Sequence, residues 1–237
     1  MQILVQGFAL IALVFFSLPI FAGEPAGEPA GEPAGEPTHD PAILEQVVAA
    51  QQQHTTVQGK LRWLTRQIAD PTATVREQQV QFYLAFPQRY HVIVTKADDQ
   101  ESKQRYISDG KTRWEVAQLF SGEKPDVKTA PIGGDDEFER RLMACFRFDR
   151  ATLQGDFSIL AIATTDMGAE IRLTPSAVKL KEQLSMLVLT FDAKRALIAI
   201  RSDDPQGNRL DFIVQEATYD QVLDDALFHV APGQEKP

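Results

Sequence analysis

The fold is decided by the stretch Val80–Val116, which reads VQFYLAFPQRYHVIVTKADDQESKQRYISDGKTRWEV. Apolar residues occupy every second position from Val80 to Phe86, and the alternation resumes in Tyr90–Val94. A period of two indicates a β-sheet with one apolar face. Asp109-Gly110 predicts a hairpin with a type I′ turn, because both residues tolerate a positive φ. The stretch therefore predicts antiparallel strands, with Trp114 on the strand that follows the turn.

Outside this stretch, the pattern predicts further short strands and two helices. Asp40-Pro41 favours a helix start, since Asp caps a helix well and Pro suits its first turn, and this helix should end near His54. Gly122–Gly134 is rich in Gly and Pro and is typical of a loop. Asp135-Asp136 then favours the start of a mid-chain helix. Many antiparallel strands with these two helices indicate an α+β protein built on one curved sheet.

The N-terminal residues 1–22 are typical of a secretory signal peptide, with an apolar core over Phe8–Leu18. No Lys or Arg precedes that core, so an uncleaved membrane anchor stays an open alternative. Residues 23–39 contain Gly-Glu-Pro-Ala three times and Gly-Glu-Pro-Thr once, which predicts a stiff, disordered and solvated linker. Residues 40–237 are long enough for one domain with a sizeable core.

Charge and motifs limit the function classes. The net charge is −9, which argues against a nucleic-acid partner because such a partner needs clustered Lys and Arg. Cys145 is the only cysteine, so no intrachain disulfide can form, and its apolar neighbours predict a buried thiol. None of the four histidines has a second ligand at metal spacing, and no phosphate-binding or nucleophile motif is present. The sequence predicts a non-enzyme with no cofactor or metal, and an exported enzyme assembled from distant residues is the alternative.

Five segments, in this order, resemble the LolA-like family of periplasmic outer-membrane lipoprotein carriers. They are Phe86-Pro87, Ser108–Trp114, Ile171–Pro175, Leu197–Asn208 and Leu227–Gly233. The resemblance implies an unclosed antiparallel half-barrel whose concave apolar face is covered by helices. It also implies a monomeric carrier in the periplasm. Such a carrier takes lipoprotein acyl chains from an inner-membrane release transporter and passes them to an outer-membrane receptor.

The resemblance and the alternation together nominate lipid-binding residues. The candidates are Trp63, Phe82, Leu84, Phe86, Tyr90, Val92 and Trp114 from the sheet, and Leu142, Met143 and Phe146 from the lid helix. Phe86 stands where the family carries an Arg that holds the lid shut, so packing alone is expected to hold the lid here. Ordinary core packing is the alternative for each of these side chains. The alternative function is a membrane-tethered module on the same fold that senses lipids or lipoproteins.

Overall fold

The computed structural model describes residues 40–68, 70, 72–97, 102–118, 124–132, 143–166 and 168–230. The predicted signal peptide (1–22), the repeat linker (23–39), the helix start at Asp135-Asp136 and the candidate Leu142 lie outside the described residues. Within the described ranges, no helix combines the length and the apolar character that a membrane crossing requires.

The described chain consists of eleven strands and a few short helices. The strands are β1 (Thr56–Gln67), β2 (Arg76–Ala85), β3 (Arg89–Lys96), β4 (Lys103–Asp109), β5 (Thr112–Gln118), β6 (Asp126–Pro131), β7 (Phe157–Thr165), β8 (Gly168–Pro175), β9 (Met186–Asp192), β10 (Leu197–Asp203) and β11 (Asn208–Tyr219). The helices are α1 (Pro41–Gln52), a helical segment at 143–147, α2 (Arg150–Asp156), α3 (Val178–Lys181) and a 3-10 turn at Asp225–Phe228.

All eleven strands form one antiparallel sheet in the order β6-β5-β4-β3-β2-β1-β11-β10-β9-β8-β7. β1 lies in the middle, where it pairs with β2 on one side and with β11 on the other. The sheet ends at β6 and at β7, which do not pair with each other, so it does not close into a barrel. The predicted fold class, an α+β protein with an unclosed half-barrel, is confirmed.

Helix α1 begins where the sequence predicts it. The carboxylate of Asp40 accepts a hydrogen bond of 2.9 Å from the backbone N–H of Ala42, and Pro41 occupies the first turn. The cap satisfies one of the N–H groups that a helix start leaves without an intrahelical partner. The buried side of α1 consists of Ile43, Leu44, Val47 and Gln51.

The β4–β5 hairpin confirms the predicted connection, but the predicted type I′ turn is wrong. Gly110 has a φ of 92°, whereas Asp109 is not among the described residues with a positive φ. The Asp109 carboxylate instead accepts hydrogen bonds of 2.7 Å from the backbone N–H groups of Lys111 and Thr112. Asp109 therefore shapes the turn through its side chain, as Asx turns do, and only the Gly needs the left-handed backbone.

The loop predicted over Gly122–Gly134 is partly wrong, because Asp126–Pro131 forms strand β6 against β5. β6 lies at the end of the sheet and pairs through the described residues on one side only. Pro125 precedes the strand and Pro131 is its last residue, and at such positions a missing N–H interrupts little of the ladder. An edge strand can form from a sequence that would not suit the centre of a sheet.

Candidate functional site

One face of the sheet, called the inner face from here on, is the face that carries Phe82. Strand register places Leu84 opposite Val57 and Tyr90, and Phe82 opposite Val92, so these side chains share that face. Phe82, Leu84 and Tyr90 are 1%, 0% and 4% exposed, and Val92 is half-buried. The structure thus brings four of the predicted residues together on the neighbouring strands β2 and β3.

The inner face continues across β7–β11, a part of the chain that contains none of the predicted lipid-binding residues. Apolar side chains of this half join the same core, namely Phe157, Ile162, Ala169, Ile171, Leu173, Leu187, Leu189, Phe191, Leu197, Ile200, Phe212 and Val214. The signal for part of this set lies in Met186–Phe191, where the apolar residues Leu187, Leu189 and Phe191 occupy alternate positions. Both halves of the sheet therefore contribute to one continuous apolar surface.

Helices cover the inner face, as the family resemblance implied. Met143 and Phe146 from the helical segment are 6% and 3% exposed and pack in the same core as the sheet residues. The ring of Phe146 lies 4.9 Å from that of Phe82, and Phe148 meets Phe191 edge-on at 5.8 Å between centroids. Helix α1, α2 and the region of α3 add buried apolar side chains to this cover, namely Ile43, Leu44, Val47, Leu153 and Leu180.

Phe86 lies just beyond the end of β2, partly buried against the core. The guanidinium carbon of Arg147, from the helical segment, sits 5.6 Å from the centre of the Phe86 ring. A cation over an aromatic face is attracted by the ring quadrupole. The expectation that packing alone holds the cover at this position is therefore incomplete, because a charge reaches the ring from the helical side.

Polar contacts also attach α1 and α2 to their surroundings. Arg150 of α2 forms an ion pair of 2.6 Å with Glu45 of α1. Arg195, in the β9–β10 turn, donates a hydrogen bond of 2.8 Å to Gln46, and its carbonyl accepts one from Gln51. Most of these side chains are exposed, and exposed ion pairs contribute little to stability. Apolar packing is thus the main interaction that holds the cover on the inner face.

Trp63 occupies the inner face of β1, opposite Phe212, and the two rings stack at 5.4 Å. The side chain is 5% exposed and belongs to the same core as Phe82. Its indole N–H is buried and has no hydrogen-bond partner among the described residues. A buried donor without a partner costs about 1–3 kcal/mol, so this N–H could bind an acceptor that a ligand brings.

Trp114 does not lie on the inner face with the other candidates. In β5 it pairs with Ile107, and both belong to a second, smaller core with Val116, Val127 and Val230 on the opposite side of the sheet, the outer face. The reason is register, since a residue one position away along a strand points to the other face. Trp114 is therefore core of the outer face, where the C-terminal segment covers β3–β5.

His91 is a buried titratable group on the outer face. It lies on the outer face of β3, is 9% exposed, and is opposite Ile107. Burial, together with the nearby charge of Arg105, lowers the pKa of His91 to about 4. The imidazole is therefore neutral at physiological pH and acts as part of the packing under the C-terminal segment.

A His–Asp pair lies at the rim where β11 ends. His54 Nδ1 and the Asp220 carboxylate are 2.7 Å apart, and the Thr55 backbone N–H and hydroxyl donate to the same carboxylate. These hydrogen bonds, that from the Thr55 N–H first, lower the pKa of Asp220. The pair and the Thr55 contacts thus join the segment after α1 to the end of β11.

No protein-family model and no curated protein matches this chain. Several solved structures are similar to it in overall shape. A LolA superfamily protein from Nitrosomonas europaea shares 11% identity at a TM-score of 0.40, over 80% of this chain and 97% of that one. The lipoprotein LppX from Mycobacterium tuberculosis shares 14% identity at 0.39, over 78% and 99%. A putative outer membrane lipoprotein-sorting domain from Vibrio parahaemolyticus shares 10% at 0.39, over 79% and 94%. The likeness concerns general shape, and no activity is carried over from these proteins.

Proposed function

We propose that this protein is an exported, periplasmic carrier that binds the acyl chains of lipoproteins, or of a related lipid, on the inner face of its sheet. One observation carries the proposal. The inner face is apolar over β1–β3 and on across β7–β11 of an unclosed sheet, and the helices above it are held mainly by side-chain packing.

The energetics suit a carrier. Each CH₂ group of an acyl chain that leaves water for an apolar site gains about 0.8 kcal/mol, so a long chain binds without strong polar anchors. Packing contacts between cover and sheet, such as Phe146 against Phe82, can be exchanged for contacts with the chain at little net cost. Such exchange allows uptake from one membrane and delivery to another by small free-energy differences.

The proposal includes partners and excludes catalysis. As the family resemblance implies, a release transporter in the inner membrane would load the carrier, and an outer-membrane receptor would take its cargo. The carrier acts as a monomer and performs no covalent chemistry. The residues that we propose to contact the cargo are the inner-face candidates Trp63, Phe82, Leu84, Tyr90 and Val92, with Phe86, Met143 and Phe146 at the cover.

A release assay tests this function. The protein from Asp40 onward is added to spheroplasts that display a labelled lipoprotein, and a soluble one-to-one complex is the expected product. Val92→Asp places a charge on the inner face and should abolish release, whereas Val222→Asp changes a valine that is fully exposed and should not. If the folded protein releases nothing, the carrier function is refuted.

The alternative is a membrane-tethered module that senses lipids or lipoproteins. The observation that favours it is the absence of Lys and Arg ahead of the apolar core Phe8–Leu18, followed by an acidic, Pro-rich spacer. Mass spectrometry of the protein isolated from cells decides between the two. A chain that begins near residue 23 supports the soluble carrier, and a chain that retains residues 1–22 supports the tethered module.

A further inference from the structure

The polarity of the inner face changes along the sheet. Three registers run from β2 through β3 and β4 to β5. Each begins with two apolar or aromatic residues, and each has a polar or charged residue on β4, on β5 or on both. They are Leu84-Tyr90-Ser108-Arg113, Phe82-Val92-Tyr106-Glu115 and Val80-Val94-Gln104-Ala117. On β6 the next residues in these registers are, in the same order, Ala130, Lys128 and Asp126.

The opposite face shows the reverse change on the same strands. On β4–β6 the apolar side chains lie on the outer face, where Ile107, Trp114, Val116 and Val127 form the smaller core under Val230. The apolar side of the sheet thus passes from the inner to the outer face at β4. The apolar part of the inner face has a chemical boundary there, although the sheet itself continues for two more strands.

Charged groups lie beyond this boundary. Arg113 and Glu115 of β5 form an ion pair of 3.5 Å, and their side chains are 21% and 27% exposed. Glu115 is opposite Lys128 in the register with β6. Both signs of charge are present, so this strip suits a polar head that donates and accepts hydrogen bonds, and not a second stretch of hydrocarbon.

We infer that the ligand is an amphiphile with one polar end, bound with its acyl chain over β1–β3 and its head over β5–β6. This inference rests on the proposed carrier function and adds the orientation and the class of ligand. Four strand spacings of about 4.8 Å separate β1 from β5, so the two ends of the ligand lie about 19 Å apart. An acylated peptide and a phospholipid share this chemistry, whereas a wholly apolar lipid lacks it.

Paramagnetic broadening of amide NMR signals tests the orientation in the full exported protein. Two nitroxide probes are compared, one labelled at the chain end and one near the head. The chain-end label is expected to broaden the signals of Leu61 and Trp63, and the head label those of Arg113 and Glu115. Each probe is used both as a phospholipid and as a diacylated cysteine peptide, and the form that shows this pattern identifies the source of the ligand.

Paired variants separate the head site from general charge effects. Arg113→Leu with Glu115→Leu should abolish the confinement of the head label to β5 while the chain-end pattern persists. Arg62→Leu with Glu77→Leu removes a comparable ion pair of 2.9 Å from the outer face and should leave both patterns unchanged.

Three outcomes overturn the inference. A reversed pattern, equal broadening at both places by both labels, or an unchanged head pattern in the Arg113/Glu115 variant each refutes the orientation while leaving the carrier function intact. If none of the probes broadens any signal, the carrier function itself is refuted, and the orientation with it.

Discussion

The contact between Arg147 and Phe86 gives the most direct test of whether the helical cover opens to admit ligand. Arg147→Gln removes the cation above the ring and keeps a shorter, uncharged polar side chain. If bound acyl chains replace the cover on the inner face, the cover must open before they bind. A variant whose closed state is less stable should therefore bind acyl chains more tightly. The variant is therefore expected to gain affinity, although it loses a stabilising contact.

The size of the gain follows from the geometry of the contact. The guanidinium carbon of Arg147 lies 5.6 Å from the ring centre, within the range of a cation–π interaction. At a half-exposed site such a contact contributes about 0.5–1 kcal/mol. Loss of the contact destabilises the closed state by the same free energy, which increases the fraction of open molecules. The apparent Kd should therefore fall about two- to fivefold.

The assay is titration with a fluorescent acyl probe, and the chain offers a matched control. The guanidinium carbon of Arg89 lies 4.9 Å from the ring of Phe228, but this pair holds the C-terminal segment on the outer face. Arg89→Gln removes the same kind of interaction, together with an exposed ion pair of 2.7 Å to Asp225, and should leave the Kd unchanged. Unchanged or weaker binding by Arg147→Gln, or equal gains in both variants, would refute an opening cover.

Two further predictions concern stability. Gly59→Ala should lower the free energy of unfolding by at least about 2 kcal/mol, because the added Cβ would overlap the backbone carbonyl of Glu216. Gly155→Ala should raise the free energy of unfolding by about 0.5–1 kcal/mol, because Gly155 lies on a helix with open space around it. Thermal unfolding of both variants measures these changes. The pKa of His91 is about 4 in the folded protein and 6.5 in an unfolded chain, so the unfolded chain binds the proton at a higher pH. The free energy of unfolding should therefore fall as the pH drops from 6.5 to 4, by about 3 kcal/mol in total. Urea unfolding at several pH values should show a flatter profile for His91→Phe, and equal profiles would contradict the neutral, buried imidazole.

Sequence periodicity predicted the inner face well where one strand carries the pattern. In Val80–Phe86 parity alone decides which side chains share a face, and Phe82 and Leu84 were placed correctly. The alternation within one strand does not predict which face the side chains of the next strand occupy after a turn. The Asp109-Gly110 turn sets the register that pairs Trp114 with Ile107, and that register turns Trp114 to the outer face.

Other features depend on contacts between distant parts of the chain. The composition of β6, with Pro at both ends, predicts a loop. The segment forms a strand because it pairs with β5, and this pairing is not visible in its own sequence. The outer core needs Val230 to lie over Ile107 and Trp114, and no local pattern in either segment indicates this contact. Likewise, Arg147 meets Phe86 only after the helical segment has folded back onto the sheet.

The seam between β1 and β11 has a consequence for assembly of the chain. Strands β1–β6 and β7–β11 are two meanders of hairpins, and within the described residues β1 with β11 is the strand pair that joins them. At this seam Thr218 donates to the carbonyl of Gln58 across 160 residues of sequence. Each meander can form from local contacts, whereas the seam must wait for the whole chain, since closing a long loop is slow. The protein is thus built as two complementary fragments, and cleavage between β6 and β7 would leave each with its hairpins intact and the seam as the surface by which they recognise each other.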